Sequence, residues 1–311
     1  MRKEDLAVIM ARKTLDRANI DNNPFQDVHR QEDRIAMERE KVAIIGAGVI
    51  GGAIACAISD DFQVTATRRK IERLSPLAER GINITSDNDK AVSEAEVVII
   101  SVKPYQVIPL LKNLSHGLKD KLVISFAASI NLDLMQRVIP DSRVVRAMTN
   151  IAVQVKEGYT VYSCGKNVTD SDKNVITKIF EDMGEYEEVD EQHLDVLTAM
   201  AGSSPAYLYT VVEAMIYGAL QVGLPRDLAL KAAAWSVIGA SHLLLSSGKH
   251  PAELRDMVVT PGGVTIDAIY ALEDGKVRTA FMKAIRDASL KAQRLARDAC
   301  DEAERQLGKE N

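Results

Sequence analysis

The period of the hydrophobic pattern changes partway along the chain. From Lys41 to about Glu188, short apolar runs alternate with amphipathic stretches. Val42-Ala43-Ile44-Ile45, residues 62–67, 96–102, 122–125 and 143–146 predict strands; residues 50–59, 71–80, 107–114 and 132–138 predict helices between them. An uninterrupted apolar run marks a strand buried on both faces, as in a parallel sheet. Strands alternating with helices predict an α/β architecture, a Rossmann-type doubly wound parallel sheet. Residues 160–162 and 187–189 predict two late strands flanking a helix at 171–183.

After about Asp190 the strand signal stops. Residues 194–201, 207–222, 226–246 and 278–306 predict long helices rich in alanine and leucine. Stretches 206–220 and 228–245 are apolar over more than one stripe, and such helices must be covered on several sides. A domain of this size cannot easily surround them alone, so an intertwined homodimer is expected, with a compact monomeric bundle as the alternative. The resulting organisation is a charged, helical extension at 1–40, a dinucleotide-binding domain at 41–190, and an all-helical dimerisation and substrate domain at 191–311. In the extension, Leu6, Ile9, Met10 and Leu15 have helical spacing before a break at Asp21-Asn22-Asn23-Pro24. It reads as a solvated extension or as an arm that packs on a neighbouring subunit.

Composition narrows the function classes. A chain of 311 residues with 46% hydrophobic and 27% charged residues has the ordinary balance of a globular protein with room for two domains. A net charge of −5 gives no sign of a dedicated nucleic-acid binder. The start, Met-Arg-Lys-Glu-Asp, has no apolar core, so no secretory signal is expected, and the apolar runs look too short for a membrane span. Cys56, Cys164 and Cys300 are scattered and odd in number, which fits a reducing cytoplasm rather than a disulfide scaffold. The five histidines share no metal-like spacing, so no metal is expected.

Gly46-Ala47-Gly48-Val49-Ile50-Gly51 is a G-x-G-x-x-G motif that follows a predicted buried strand and opens a predicted helix, the context the motif requires. Gly46 permits the turn, Gly48 lets the backbone approach a pyrophosphate, Gly51 permits close helix–strand packing, and the helix start offers amides and a positive dipole end. The second strand ends at Thr67-Arg68-Arg69-Lys70, with cations where an NAD site usually has an acid. These are either solvated surface charges or a seat for the 2′-phosphate, and the second reading predicts NADPH over NADH. Ser101, Val102, Lys103 and Pro104 follow the third buried strand, and Phe126, Ala127 and Ala128 follow the next, so their backbones could line the cofactor.

Thr260-Pro261-Gly262-Gly263-Val264-Thr265 precedes a helical stretch. Successive amides of such a turn make a nest for a carboxylate, and the Thr265 hydroxyl can donate or accept. The same pattern also occurs in turns that hold no ligand.

The run Ala201-Gly202-Ser203-Ser204-Pro205-Ala206-Tyr207, Gly223-Leu224-Pro225-Arg226, His250-Pro251, Leu254-Arg255-Asp256-Met257-Val258 and Pro261-Gly262-Gly263-Val264-Thr265 resembles the signature of the pyrroline-5-carboxylate reductases, in order and spacing. The resemblance spans about residues 41–295 and includes Val102-Lys103-Pro104 and Val145-Arg146-Ala147-Met148. It implies a Rossmann domain with a helical dimerisation domain, dimers that often assemble into larger rings, and reduction of 1-pyrroline-5-carboxylate, a small cyclic imine carboxylate, to L-proline by NAD(P)H. Carried over by position, the substrate carboxylate would lie on Thr260, Gly262, Gly263, Val264 and Thr265. Thr265 would contact the ring nitrogen, Glu191 would sit near the substrate, and Asn88, Ser101 to Pro104 and Phe126 to Ala128 would line the cofactor. Hydride transfer to a C=N bond is cofactor chemistry, and the protein has mainly to hold the two reactants together.

Three features depart from that family. Where it usually reads Met-Pro-Asn-Thr-Pro, this chain has Met148-Thr149-Asn150-Ile151-Ala152; Met257 stands where some members have a polar cofactor contact; and residues 1–40 are extra. The changed loop keeps open a related imine reductase, or a deazaflavin/NADP reductase, on the same scaffold. A non-catalytic NADP-binding dimer is the alternative of a different class. A 3-hydroxyacid dehydrogenase is disfavoured, because no clear lysine and asparagine pair stands in the helical half.

Overall fold

Each short apolar run becomes a strand whose successive residues feed two different cores. The computed structural model describes residues 39–308. The expected helix near the start of the chain lies outside the described residues. Strands β1 (Lys41–Ile45), β2 (Gln63–Thr67), β3 (Asn83–Thr85), β4 (Val97–Ile100), β5 (Leu122–Ser125), β6 (Arg143–Met148), β7 (Gly158–Cys164) and β8 (Gly184–Glu188) form one sheet. Its order is β3-β2-β1-β4-β5-β6-β7-β8. Pairing is parallel from β3 to β6; β7 runs antiparallel to β6 and parallel to β8.

Between the strands lie α1 (Val49–Ile58), α2 (Ser75–Ala78), α3 (Asn88–Glu94), α4 (Pro104–Leu118), α5 (Leu132–Val138) and α6 (Asp170–Glu181). On one face Val42, Ile44, Val64, Ala66, Val97 and Ile99 pack against α1 and α6; on the other Ala43, Ile45, Val98 and Ile100 pack against α3, α4 and α5. This use of adjacent residues for opposite faces explains why the strand sequences do not alternate with polar residues. The strand β3 and the helix α3 were not anticipated. β3 is a three-residue edge strand with one apolar residue, too short for a periodicity signal; α3 is polar, but Asp87 caps it by accepting from Lys90 N–H at 3.0 Å, a start signal legible in the sequence.

The second half is helical: α7 (Leu194–Leu197), one π-helical turn (Thr198–Gly202), α8 (Ser204–Gln221), α9 (Arg226–Ser247), α10 (Pro251–Val258), α11 (Val264–Asp274) and α12 (Val277–Gly308). The sheet and these helices belong to one unit, Lys41–Asn311. α12 returns to the sheet, where Ala299, Cys300 and Ala303 pack on the core beneath α4 and α5. The middle helices have almost no interior: α8, α10 and α11 bury no residue, and α9 buries only Ala229 and Ala233. Leu245 is 83% exposed and Tyr270 75%. α9, at 22 residues with a mean hydropathy of 1.5 over its most apolar stretch, is long and apolar enough to span a bilayer by length and composition alone. Scattered Lys231, Ser236, Ser241 and His242 interrupt its apolar runs, which is why no single run stood out.

Candidate active site

From β1 the chain steps to β2 and β3 on one side and then crosses to β4 on the other. That reversal leaves a crevice outside the carboxyl ends of β1 and β4, where open α/β sheets bind ligands. It has a volume of about 1420 Å³. Its floor is the turn after β1. Gly46 has φ +95°, and a Cβ there would meet Val102 Cγ1 at 2.5 Å; a Cβ at Gly51 would meet the Gly46 carbonyl oxygen at 2.7 Å. Gly48 differs, because its nearest neighbour, the Gly46 carbonyl oxygen, would be 3.9 Å away. Packing of the chain therefore requires Gly46 and Gly51, whereas at Gly48 the chain's own packing leaves room for a side chain.

The amides around this turn are divided between structure and crevice. Ala47 N–H donates to the Thr67 carbonyl at 2.8 Å and Gly46 N–H to the same oxygen at 3.2 Å. The ladder of α1 starts with Gly52 N–H donating to the Gly48 carbonyl at 2.9 Å, and no side chain caps the helix. The amides of Val49, Ile50 and Gly51 precede that ladder, at the positive end of the helix dipole. Val49 is itself 67% exposed, an apolar patch on the crevice floor. These features suit a phosphate and an adjoining flat ring system.

One wall is cationic. Arg68 leans over the glycine turn, its Nη1 donating to the Ala47 carbonyl at 3.4 Å, and Arg69, Lys70 and Arg73 line the same space. Arg73 escaped the sequence reading; a 3₁₀ turn, Ile71–Leu74, brings it to the crevice four residues after Arg69. Beneath them the Thr67 hydroxyl donates to Asn88 Oδ1 at 2.7 Å, which fixes Asn88 at the start of α3. The opposite wall comes from Ser101, Val102, Lys103 and Pro104 with Phe126, Ala127 and Ala128. Phe126 is held from behind by Phe180 of α6, edge-on with centroids 6.1 Å apart. Tyr105, Gln106 and Asn113 of α4 and Ser86 also line the crevice and were missed. Tyr105 and Gln106 follow directly on the Lys103-Pro104 step and could have been inferred from it, whereas Asn113 lies more than two helical turns further along α4. Of the residues proposed for the cofactor, only Ala47 and Gly51 do not face the crevice; both are buried beneath it.

The second constellation stands apart. Gly262 has φ +67°, Gly263 N–H donates to the Thr260 carbonyl at 3.0 Å, and a Cβ at Gly263 would meet Thr260 Oγ1 at 2.4 Å. The turn therefore needs a glycine at Gly262 for its backbone conformation, whereas a side chain at Gly263 would first have to displace the Thr260 hydroxyl. It opens α11 with no side-chain cap, Val264 is 87% exposed and Thr265 half-buried. None of Thr260, Gly262, Gly263, Val264 and Thr265 lines the crevice of the same chain. Glu191 is elsewhere again: its Oε1 accepts from Leu132 N–H at 2.8 Å and from Arg146 Nη1 at 3.1 Å.

The changed loop after β6 uses the polar groups that replaced prolines. Thr160 Oγ1 donates to Thr149 Oγ1 at 2.9 Å, and Ala152 N–H donates to Asn150 Oδ1 at 3.0 Å. Proline at 152 would lack that N–H. Asn150 Nδ2 reaches the Ala201 carbonyl at 3.2 Å, which ties the loop to the π-helical turn.

Residues 191–295 match the family model for pyrroline-5-carboxylate reductase dimerisation, and residues 41–129 match the model for coenzyme F420-dependent NADP oxidoreductases. A pyrroline-5-carboxylate reductase of Methanosarcina acetivorans is 38% identical over 269 residues, 84% of this chain and 100% of the relative. One from Glycine max is 34% identical over 269 residues, 84% of this chain and 98% of that one. Among solved structures, the Plasmodium falciparum pyrroline carboxylate reductase with NADP bound superposes with a TM-score of 0.77 at 26% identity, over 84% of this chain and 100% of that one.

Proposed function

The chain belongs to the pyrroline-5-carboxylate reductase family, and we propose that it reduces 1-pyrroline-5-carboxylate to L-proline with NADPH, NADH being the weaker donor. The observation that carries the cofactor reading is the Gly48 cradle: a glycine the protein's own packing does not require, at an uncapped helix start, beside four cations. NADPH supplies the hydride. The amides of Val49 and Ile50 hold the pyrophosphate, Arg68 and Arg69 take the 2′-phosphate, and Ser101 to Pro104 with Phe126 to Ala128 border the nicotinamide half. Thr260 to Thr265 hold the substrate carboxylate through uncapped amides, with Thr265 donating or accepting at the ring nitrogen. Glu191 stays close to the substrate, aimed by its bonds to Leu132 and Arg146. The chain needs no nucleophile for such a step; Cys164, whose thiol is pushed up to about 12 by burial, is unsuited to be one.

We further infer that the crevice and the Thr260–Thr265 turn meet in a homodimer, and that such dimers assemble into larger rings. The exposed apolar faces of α8, α9 and α11 are the surfaces a second copy would cover, so we read α9 as an interface helix rather than a membrane span. Cys56, Cys164 and Cys300 are free thiols, which supports a reducing, cytoplasmic setting. The second family model keeps a deazaflavin acceptor under consideration, but it covers only residues 41–129, the cofactor half.

One assay tests this reading: NADPH and NADH oxidation with 1-pyrroline-5-carboxylate or a deazaflavin, for the parent and Thr265→Ala. The expected result is turnover of the imine with a kcat/KM for NADPH about tenfold above NADH, and a loss of about 100-fold in Thr265→Ala, the scale of a misplaced proton-handling group. Turnover with deazaflavin alone would replace the substrate assignment, and unaltered kinetics in Thr265→Ala would remove that hydroxyl from the reaction.

A further inference from the structure

Arg146 is the most deeply buried charge at the joint between the sheet and the helices. It lies in β6, on the sheet face that also carries Val144, its side chain is 7% exposed, and it meets two carboxylates: Nη1 lies 3.1 Å from Glu191 Oε1 and Nη2 lies 2.6 Å from Asp195 Oδ1. Glu191 and Asp195 straddle the start of the helical half, one in the 3₁₀ turn Glu191–His193 and the other in α7. The Glu191 oxygen that faces Arg146 also accepts Leu132 N–H, the start of α5. One guanidinium therefore fastens β6, α5 and the first helical turns of the second half together. The surrounding contacts have the same direction. Met148, two residues along β6, packs with Leu194 and Leu197, and Gly202 leaves room for it, since a Cβ there would meet Met148 Sδ at 3.2 Å.

The planar fork of arginine suits this task, because it bonds two carboxylates in fixed directions at once, whereas a lysine ammonium is a single point charge. Asp195 bears on the question independently of any ligand, since it belongs to neither the crevice nor the Thr260–Thr265 turn. We propose that Arg146, held by Glu191 and Asp195, is a positioning residue: it fixes how the helical half is seated on the sheet, and so the register in which imine and nicotinamide meet. This rests on the reductase reading above, in which the sheet carries the cofactor and the helices carry the substrate. It applies whether the substrate turn is supplied by the same chain or by a second copy, because the joint fixes both. Misplacement of reacting groups by about 1 Å is enough to cost on the order of 100-fold in rate.

The test uses the full-length protein with Arg146→Lys, Asp195→Asn and the double variant. Each is measured for NADPH affinity by fluorescence titration, for thermal midpoint, and for kcat and KM with 1-pyrroline-5-carboxylate, normalised to folded protein. Expected are an NADPH Kd within about twofold of the parent and a kcat about tenfold lower in each single variant. The double variant should be no worse than Arg146→Lys, because both substitutions break the same link. A kcat per folded subunit within twofold of the parent in Asp195→Asn, or additive losses in the double variant, would overturn the proposal. Should Arg146→Lys fail to fold, Asp195→Asn, which leaves the guanidinium its Glu191 partner, decides it alone. A parent with no turnover of the imine would instead sink the functional reading and leave the joint's geometry as found.

Discussion

The sheet half and the helical half of this chain are equally apolar in sequence yet differ in where their apolar side chains go. In the sheet half Ile44, Ile99, Ile124 and Phe180 are fully buried, each face of the sheet closed by its own helices. In the helical half Trp235, Leu230, Leu245 and Tyr270 lie open to solvent. The difference shows that hydrophobicity sets the wish to be covered but not the identity of the cover. A twisted sheet with crossover helices covers itself; a hairpin of long helices such as α8 and α9 has too little neighbouring chain to do so.

That contrast can be broken most forcefully at the helical face. Trp235→Asp should leave the sheet domain folded and NADPH affinity intact while weakening self-association by at least about 100-fold, the scale of losing an aromatic anchor at an interface. Sedimentation velocity across a dilution series, with titration of NADPH in parallel, checks it. An unchanged association state would show that this face is not what pairs.

A smaller effect sharpens the sheet side. Gly48→Ala meets no atom of the chain closer than 3.9 Å, so its thermal midpoint should stay near the parent's while NADPH affinity falls about tenfold. Gly51→Ala should lose stability as well, because its Cβ would press on the Gly46 carbonyl oxygen at 2.7 Å. Equal melting losses in the two variants would mean that Gly48 serves the fold and not a ligand.

The smallest effect lies at the end of α6. Burial, and to a lesser degree the charge of Asp61, raise the Asp182 carboxyl from 3.8 to about 6. The folded state therefore prefers the proton. Below the unfolded value of 3.8 both folded and unfolded chains hold the proton and little is lost; as pH rises through 3.8 toward 6 the unfolded chain ionises more easily, and folding loses stability. Asp182→Asn should match the parent near pH 3.5 and exceed it at pH 7 by about 1 kcal/mol, after discounting for partial solvent screening. Denaturant titrations at the two pH values read this directly, and a variant less stable than the parent at pH 7 would reverse the assignment.

Much of this was legible in the chain itself. Gly46 to Gly51 after a four-residue apolar strand carried the crevice, because the motif depends on local backbone geometry alone. Arg68 and Arg69 were legible for the same reason, being fixed by the end of β2. Arg73 was not, since only the 3₁₀ turn after Lys70 brings it alongside them.

Sequence alone determined the strand and helix periods, the two glycine turns and the excess apolar surface of the second half, because each is a property of neighbouring residues. Tertiary structure decided that Arg146 would meet Glu191 and Asp195, more than forty positions away, and that the Thr260–Thr265 turn would not share the Gly48 crevice within one chain. Pairings over such separations depend on how whole elements are stacked, and no local pattern encodes that.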